Sequence, residues 1–355
     1  MSGRSGSGVS FSHLQRLSDS TGLFEHALLT ERRLEHGYCV DDVARGLVVT
    51  TREPAPEPAT AALAGIYQRF LASARDADGG FRNRLGADLM WEDSADVKDC
   101  WGRALWGLGT AAARSSSSRL ASEALTQFET SAGRRSRWTR AMAFAALGAA
   151  EVLTVHPDHG MARALLADAA SLIDPLGAAP TWPAADWHWP EGRLRYASAV
   201  LPETLLAAGH LLEEPRWVSR GLDMLGWLLD VETAGQHLSV TPAGGWSRGE
   251  PRPGFDQQPI EVAALADACA RAHDITGHPR WAGAVLQCAT WFEGTNDIGI
   301  PMADAVSGGG YDGLEADGRN ENQGAESTLA MLSTLQLAGR LRANDRTGRS
   351  LVRSL

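Results

Sequence analysis

Apolar residues recur along most of this chain with the period of an α-helix. In "VDDVARGLVVTT", Val40, Val43, Ala44, Leu47 and Val48 fall at i, i+3, i+4, i+7 and i+8 and share one face. The same period runs through "PATAALAGIYQRFLASARD", "CWGRALWGLGTAAAR", "RWTRAMAFAALGAAEVLTV", "LPETLLAAGHLLE", "PIEVAALADACARAHDIT" and five further segments. Eleven helices result, with a twelfth in the region 13–29. Strand-like alternation is nearly absent, so the predicted class is all-α.

The helices come in pairs joined by short turns such as "EEPRW" (213–217) and "TGHPRW" (276–281). Longer loops separate the pairs at 76–99, 176–197, 236–258 and 294–322, and they are rich in Gly, Trp and acids. Many helices are Ala-rich and apolar over more than one face, as expected of helices buried on two sides. Six hairpins closed into an (α/α)6 toroid explain both facts and gather the long loops at one end. An open helical solenoid explains the pairing equally well and the loop chemistry less well. No linker divides the chain. A single domain is expected over 13–341, with a disordered segment at 1–12 and a mobile tail at 342–355.

The chain has 355 residues, 44% hydrophobic and 21% charged, with a formal net charge of −10. A sizeable core is therefore available. No Lys/Arg-rich run supplies the positive footprint that nucleic acid or an acidic membrane needs. Cys39, Cys100, Cys269 and Cys288 are isolated and read as reduced buried thiols. No signal-like start and no apolar run of membrane-spanning length is present, and the expected location is cytoplasmic.

The acids and tryptophans gather in the loops and at helix starts. "GYCVDDVAR" holds Tyr38, Asp41 and Asp42, and 90–101 holds Trp91, Asp99 and Trp101. "TWPAADWHWPEGRL" packs Trp182, Trp187, His188, Trp189 and Glu191. "GFDQQPIE" holds Gln258 and Glu261, and 311–326 carries Tyr311, Asp312, Asn320, Glu321, Asn322, Gln323 and Glu326. Indole rings cover the C–H faces of sugars, and Asp, Asn and Gln satisfy their hydroxyls. Cleaving a glycosidic bond needs one protonated and one ionised carboxyl group. The aromatic rings and amides are thus expected to bind substrate and the carboxylates to catalyse. No metal and no cofactor is expected.

Plainer roles exist for the same residues. Asp41, Asp42 and Glu261 stand in first helical turns, where carboxylates complement the helix dipole. Asn320 and Gln323 have capping-box spacing. Glu321 and Glu326 lie about 140° apart on a helix, so only one of them points squarely into a site. "HPDH" (156–159) sits in a turn between two plain helices.

Several motifs carry a resemblance: "HGYCVDDVARGL", "DGGFRNRL", "GRALWGLG", "DQQPIEVAALADAC", "WFEGTNDIGIPMAD" and "GGGYDGLEADGRNENQGAESTLA". Together they resemble a bacterial family of the six-hairpin glycosidase-like superfamily, found alone or beside glycosyltransferase modules. The resemblance spans about 13–341. It implies an (α/α)6 toroid with a carbohydrate-facing cleft at the loop end. It also implies that an early Asp pair, Asp41 and Asp42, serves the water and that a late Glu, Glu321 or Glu326, is the acid; Asp42, oriented by Asp41, is the favoured base and Glu321 the favoured acid, with Glu261 and Asp312 close behind. After "WHWPE" the chain departs from the pattern, with Gly192, Ala197 and Ser198 where polar groups are expected. The expected function is a glycoside hydrolase acting on an oligosaccharide or glycoconjugate. Two alternatives stay open: a non-catalytic glycan-binding partner of a glycosyltransferase, and a sugar epimerase or lyase. An epimerase would want His or another base pair on both faces of one sugar carbon, and the histidines do not cluster in the sequence, apart from His188 in its Trp-rich loop.

Overall fold

The computed structural model describes residues 8–175 and 185–352, with side chains described as far as Asn344. Trp182 lies outside the described residues. The described residues form twelve helices: α1 (Ser12–Leu17), α2 (Val40–Arg52), α3 (Pro58–Ala74), α4 (Asp99–Arg114), α5 (Ser118–Ser131), α6 (Thr139–Val155), α7 (Gly160–Ile173), α8 (Val200–Leu211), α9 (Pro215–Val231), α10 (Pro259–Thr276), α11 (Pro279–Phe292) and α12 (Ala325–Val352).

The even-numbered helices form a closed inner ring. Each packs on the next, from α2 through α4, α6, α8 and α10 to α12, and α12 packs back on α2. That last contact separates a toroid from a solenoid, whose ends would not meet. The remaining helices pack outside. The Ala-rich α6 is buried continuously from Arg140 to Leu153, whereas the outer α5 buries only Ala124, Phe128 and Ser131. Glycine sets the closest approach within the ring. A Cβ added to Gly109 on α4 would lie 2.1 Å from the carbonyl oxygen of Gly148 on α6. These two helices touch backbone to backbone.

Every inner helix after the first turn of the fold starts where a longer loop ends, and short turns lead from inner to outer helices. The N-termini of the inner helices therefore share one end of the ring with the loops. Two-stranded ribbons tie those loops together, Tyr38–Cys39 with Arg84–Leu85 and Arg193–Leu194 with Trp246–Ser247, while the hairpin Gly313–Glu315/Gly318–Asn320 bridges through Leu314 to Gln257. The ring axis is filled by apolar side chains, among them Val48, Phe144, Leu147 and Leu329, around a cavity of about 40 Å³. At the opposite end a hollow of about 590 Å³ is lined by ion pairs, Arg52–Asp267 at 2.6 Å, Arg114–Glu151 at 2.6 Å and Arg271–Glu203 at 3.0 Å.

Three boundaries differ from the sequence reading. The helix expected within 13–29 is confined to Ser12–Leu17, because a turn and the Ala27–Leu28/Glu31–Arg32 ribbon follow it. Val9 and Phe11 are buried, so the packed chain includes part of the segment read as disordered. Helix α12 continues to Val352 through the segment read as a tail. No helix among the described residues is long and apolar enough to cross a membrane.

Candidate active site at the loop end of the ring

Helix α2 starts at the loop end with no side-chain cap, and its first turn carries Asp41 and Asp42. Both face arginines. Asp42 is 2% exposed, and Arg45, one helical turn on, donates from Nη2 to its Oδ1 at 2.5 Å. The other arm of Arg45 lies 2.9 Å from the Glu326 carboxylate at the start of α12. Burial pushes the Asp42 carboxyl up to about 7; Arg45 opposes the shift and Glu326 adds to it. Asp41 turns the other way. Its Oδ2 lies 3.3 Å from Nη1 of Arg103 on α4, and its Oδ1 is buried without a hydrogen-bond partner.

Arg103 lies over two rings, 4.7 Å from the centre of Phe144 and 5.8 Å from that of Tyr196. The Tyr196 hydroxyl donates to Asp99 at the start of α4. Arg140 on α6 donates from Nε to the Tyr196 carbonyl at 2.7 Å and from Nη1 to both oxygens of Glu191 at 3.0 and 3.1 Å.

Two cavities meet at Asp41. The larger, about 760 Å³, is lined by Asp41, Asp99, Trp138, Arg140, Arg195 and Tyr196 among others. Trp138 and Tyr196 are 48% and 40% exposed, so they are the aromatic faces it offers. The smaller, about 270 Å³, is the acidic one, with Glu25, Asp41, Asp42, Asp312 and Glu326 beside His26 and Gln258.

The residues singled out by sequence divide sharply. Asp41, Asp42, Asp99, Gln258, Asp312 and Glu326 line the cavities. Asp312 also starts α12, accepting the Gly324 N–H at 2.7 Å and the Ser327 hydroxyl. Glu321 does not reach the cleft: it pairs with Arg319 at 3.0 Å on the neighbouring ribbon, with its side chain 57% exposed. Glu261 is inside the fold but lines neither cavity, because its oxygens accept the N–H groups of Ala197 and Ser198. Trp101, Trp187 and Trp189, expected as sugar platforms, are 0–2% exposed. A ring without a free face covers no sugar; Trp187 packs edge-on against Trp227 and Trp246 instead.

The remaining candidates brace loops. Trp91 is only partly buried but lies against Phe70, and buried Tyr38 donates its hydroxyl to Asp19. Tyr311 is covered by Arg319, and His188 faces Asp223. Asn320 accepts from the Asn322 N–H, Asn322 accepts from the Leu29 N–H, and Gln323 bridges Ser307 and Asp304. The polar stretch before α12 is thus mainly a seam that joins the last inner helix to the loop before the first. In "HPDH", His159 caps α7 by accepting the Ala162 N–H.

The sequence reading missed Arg45, Arg103, Arg140, Trp138, Glu25 and the pair His26–His36. Those two imidazoles meet edge to face with centroids 4.9 Å apart, so histidines do gather at this end. Glu25, Cys39 and Asp42 bring their ligand atoms within 4.8 Å of one another. They fit a metal ion poorly. Arg84 binds both Glu25 oxygens, Arg45 holds Asp42, and burial pushes the Cys39 thiol well up, which favours its protonated form.

The sequence matches no protein-family model and no curated protein. Solved structures do match. A sugar epimerase from a ruminal bacterium has a TM-score of 0.68 at 11% identity, over 92% of this chain and 94% of that chain. The cellobiose 2-epimerase of Bacillus thermoamylovorans has a TM-score of 0.69 at 11% identity, over 93% and 95%. An α-mannanase of Bacteroides thetaiotaomicron has a TM-score of 0.62 at 9% identity, over 94% and 95%. The chain has the (α/α)6 toroid fold of the six-hairpin glycosidase-like enzymes. At these identities the likeness is one of fold.

Proposed function

We propose that the chain is a carbohydrate-active enzyme that hydrolyses an oligosaccharide or glycoconjugate at the loop end of the ring. One observation carries this reading. Asp41 Oδ1 is the only buried carboxylate oxygen among the described residues without a hydrogen-bond partner, and Asp41 stands where the two cavities meet. A buried carboxylate oxygen with no internal partner has unused accepting capacity for a water or sugar hydroxyl admitted to the site. Beside it, Asp42 keeps a proton into the neutral range and lines the acidic cavity, so it is the carboxyl suited to donate. Trp138 and Tyr196 provide exposed faces for the sugar rings. The matching structures, among them an α-mannanase, agree with a sugar ligand.

The test is to incubate the protein with a pool of oligosaccharides and measure new reducing ends. Hydrolysis by the wild type and its loss in Asp41→Asn is the expected result; full turnover in that variant sinks the assignment. A second reading has its own support. His26 lines the acidic cavity and meets His36 edge to face, and imidazoles exchange protons near neutral pH. A sugar isomer formed with no new reducing end would select isomerisation over hydrolysis.

A further inference from the structure

Each acid of the larger cavity has a partner for at least one of its oxygens. Asp41 faces Arg103, Asp99 accepts from Tyr196, and Glu191 is held by both oxygens on Arg140. Asp93 accepts the N–H groups of Asn83 and Arg84 at 2.8 and 3.1 Å, and Asp96 pairs with Lys98 at 2.5 Å. The cations are not matched in the same way. Arg193 is held by Glu250 at 3.0 Å, but Arg137 and Arg195, both exposed on the cavity wall, face no carboxylate among the described residues. Arg137 lies 4.6 Å from the centre of the Trp138 ring instead. Buried Arg140 keeps Nη2 without a partner. It stands in the first turn of α6, a helix of 17 residues whose N-cap, Trp138, contributes no side-chain hydrogen bond. The positive end of a helix, a partnerless guanidinium nitrogen and two uncompensated arginines thus meet beside an exposed indole.

We propose that this cavity takes a sugar bearing an anionic substituent, a carboxylate or a phosphate ester, with Arg195 and Arg137 as the groups that select the charge. The inference rests on the carbohydrate reading above and names the substrate class of the same site. Guanidinium suits both anions because its planar fork offers two parallel donors. Trp138 covers the sugar ring while the arginines hold the charge.

The experiment is binding of the full chain to an array of disaccharides, each present in matched neutral, uronate and 6-phosphate forms. An anionic form held at least about tenfold tighter than its neutral twin at low salt, with the difference shrinking at high salt, is expected. The uronate and phosphate arms tell the two anions apart. The Arg137→Gln/Arg195→Gln variant should bring the preferred anionic form to within about twofold of its neutral twin. Both changes are on exposed side chains, so circular dichroism should match the wild type. Equal binding of neutral and anionic forms overturns this inference and leaves the carbohydrate reading standing. An anionic preference that survives the double variant also overturns it. Binding to no member of the array overturns both.

Discussion

Glu261 on α10 accepts the backbone N–H of Ala197 at 2.6 Å and holds that residue with φ at +48°. A left-handed alanine is unfavourable without such a clamp. The carboxyl spans from the inner ring to the loop that carries Tyr196 into the cleft, and it is pushed up to about 8, first by burial and then by Glu232. The departure at Ala197 and Ser198 and the acid at Glu261 are therefore one feature. Where polar side chains were expected, two backbone amides meet a buried carboxyl.

The linkage has a definite sign. A carboxyl with a raised folded value keeps its proton while the unfolded chain has lost it, so stability declines as pH rises from about 4.5 to about 8. The effect is on the order of 2–5 kcal/mol across that window. In Glu261→Gln this part of the decline should vanish, so the midpoint of thermal unfolding should vary less between pH 5 and 8 than in the wild type. Parallel curves for the two proteins would show that Glu261 does not titrate in this way.

Asp41 and Asp42 are predicted to differ. Asp41→Asn replaces the carboxylate by an amide that cannot take the proton, and turnover should fall at least about a thousandfold at every pH. For wild-type turnover, the requirement that Asp42 be protonated predicts a decline as pH rises through about 7. Asp42→Asn should remove turnover, keep the fold and leave Arg45 paired with Glu326 alone. A wild-type rate still rising at pH 9 would exclude Asp42 as the donor.

Glu321 supplies a control inside the motif. The sequence favoured it over Glu326 as the acid, yet its carboxylate is spent on Arg319 at the surface. Glu321→Gln should leave turnover within about twofold and stability within about 0.5 kcal/mol, as for an exposed ion pair. A large loss of turnover at unchanged melting temperature would return Glu321 to the site.

The fold was legible because the inner helices are buried on nearly all sides and the outer ones on one face, and a period of 3.6 survives in both. The acids of the site were legible by type and position: Asp41, Asp42 and Glu326 stand at helix starts that the ring brings to one end, and Asp312 reaches the last of these starts from the loop before it. Their partners were not. Arg103 and Arg140 are on other helices, and nothing in local sequence tells which acid an arginine will face. Aromatic rings misled for a related reason. Tryptophan fills cores as well as it covers sugars, so the dense "WHWP" run became a buried cluster. Among the described residues the solitary Trp138 in "RRSRWTR" is the exposed one; its arginine neighbours were the signal that went unread.

The ring itself can be tested where it is tightest. A Cβ added to Gly148 on α6 would lie 2.1 Å from the carbonyl oxygen of Leu105 on α4, and the obstacle is backbone, which no side-chain rotation clears. Alanine is the better helix former, so by propensity alone Gly148→Ala would stabilise by up to about 1 kcal/mol. The clash should reverse that sign, because moving α4 away from α6 disturbs the packing on both sides of the closed ring. The expected outcome is a loss of about 3 kcal/mol in chemical unfolding, the upper part of the range for overpacking. Gly160, the first residue of the outer α7, has open space at its Cβ position. Gly160→Ala should therefore be neutral or slightly stabilising in the same measurement, and equal effects at the two positions would mean that the inner helices do not approach as closely as described.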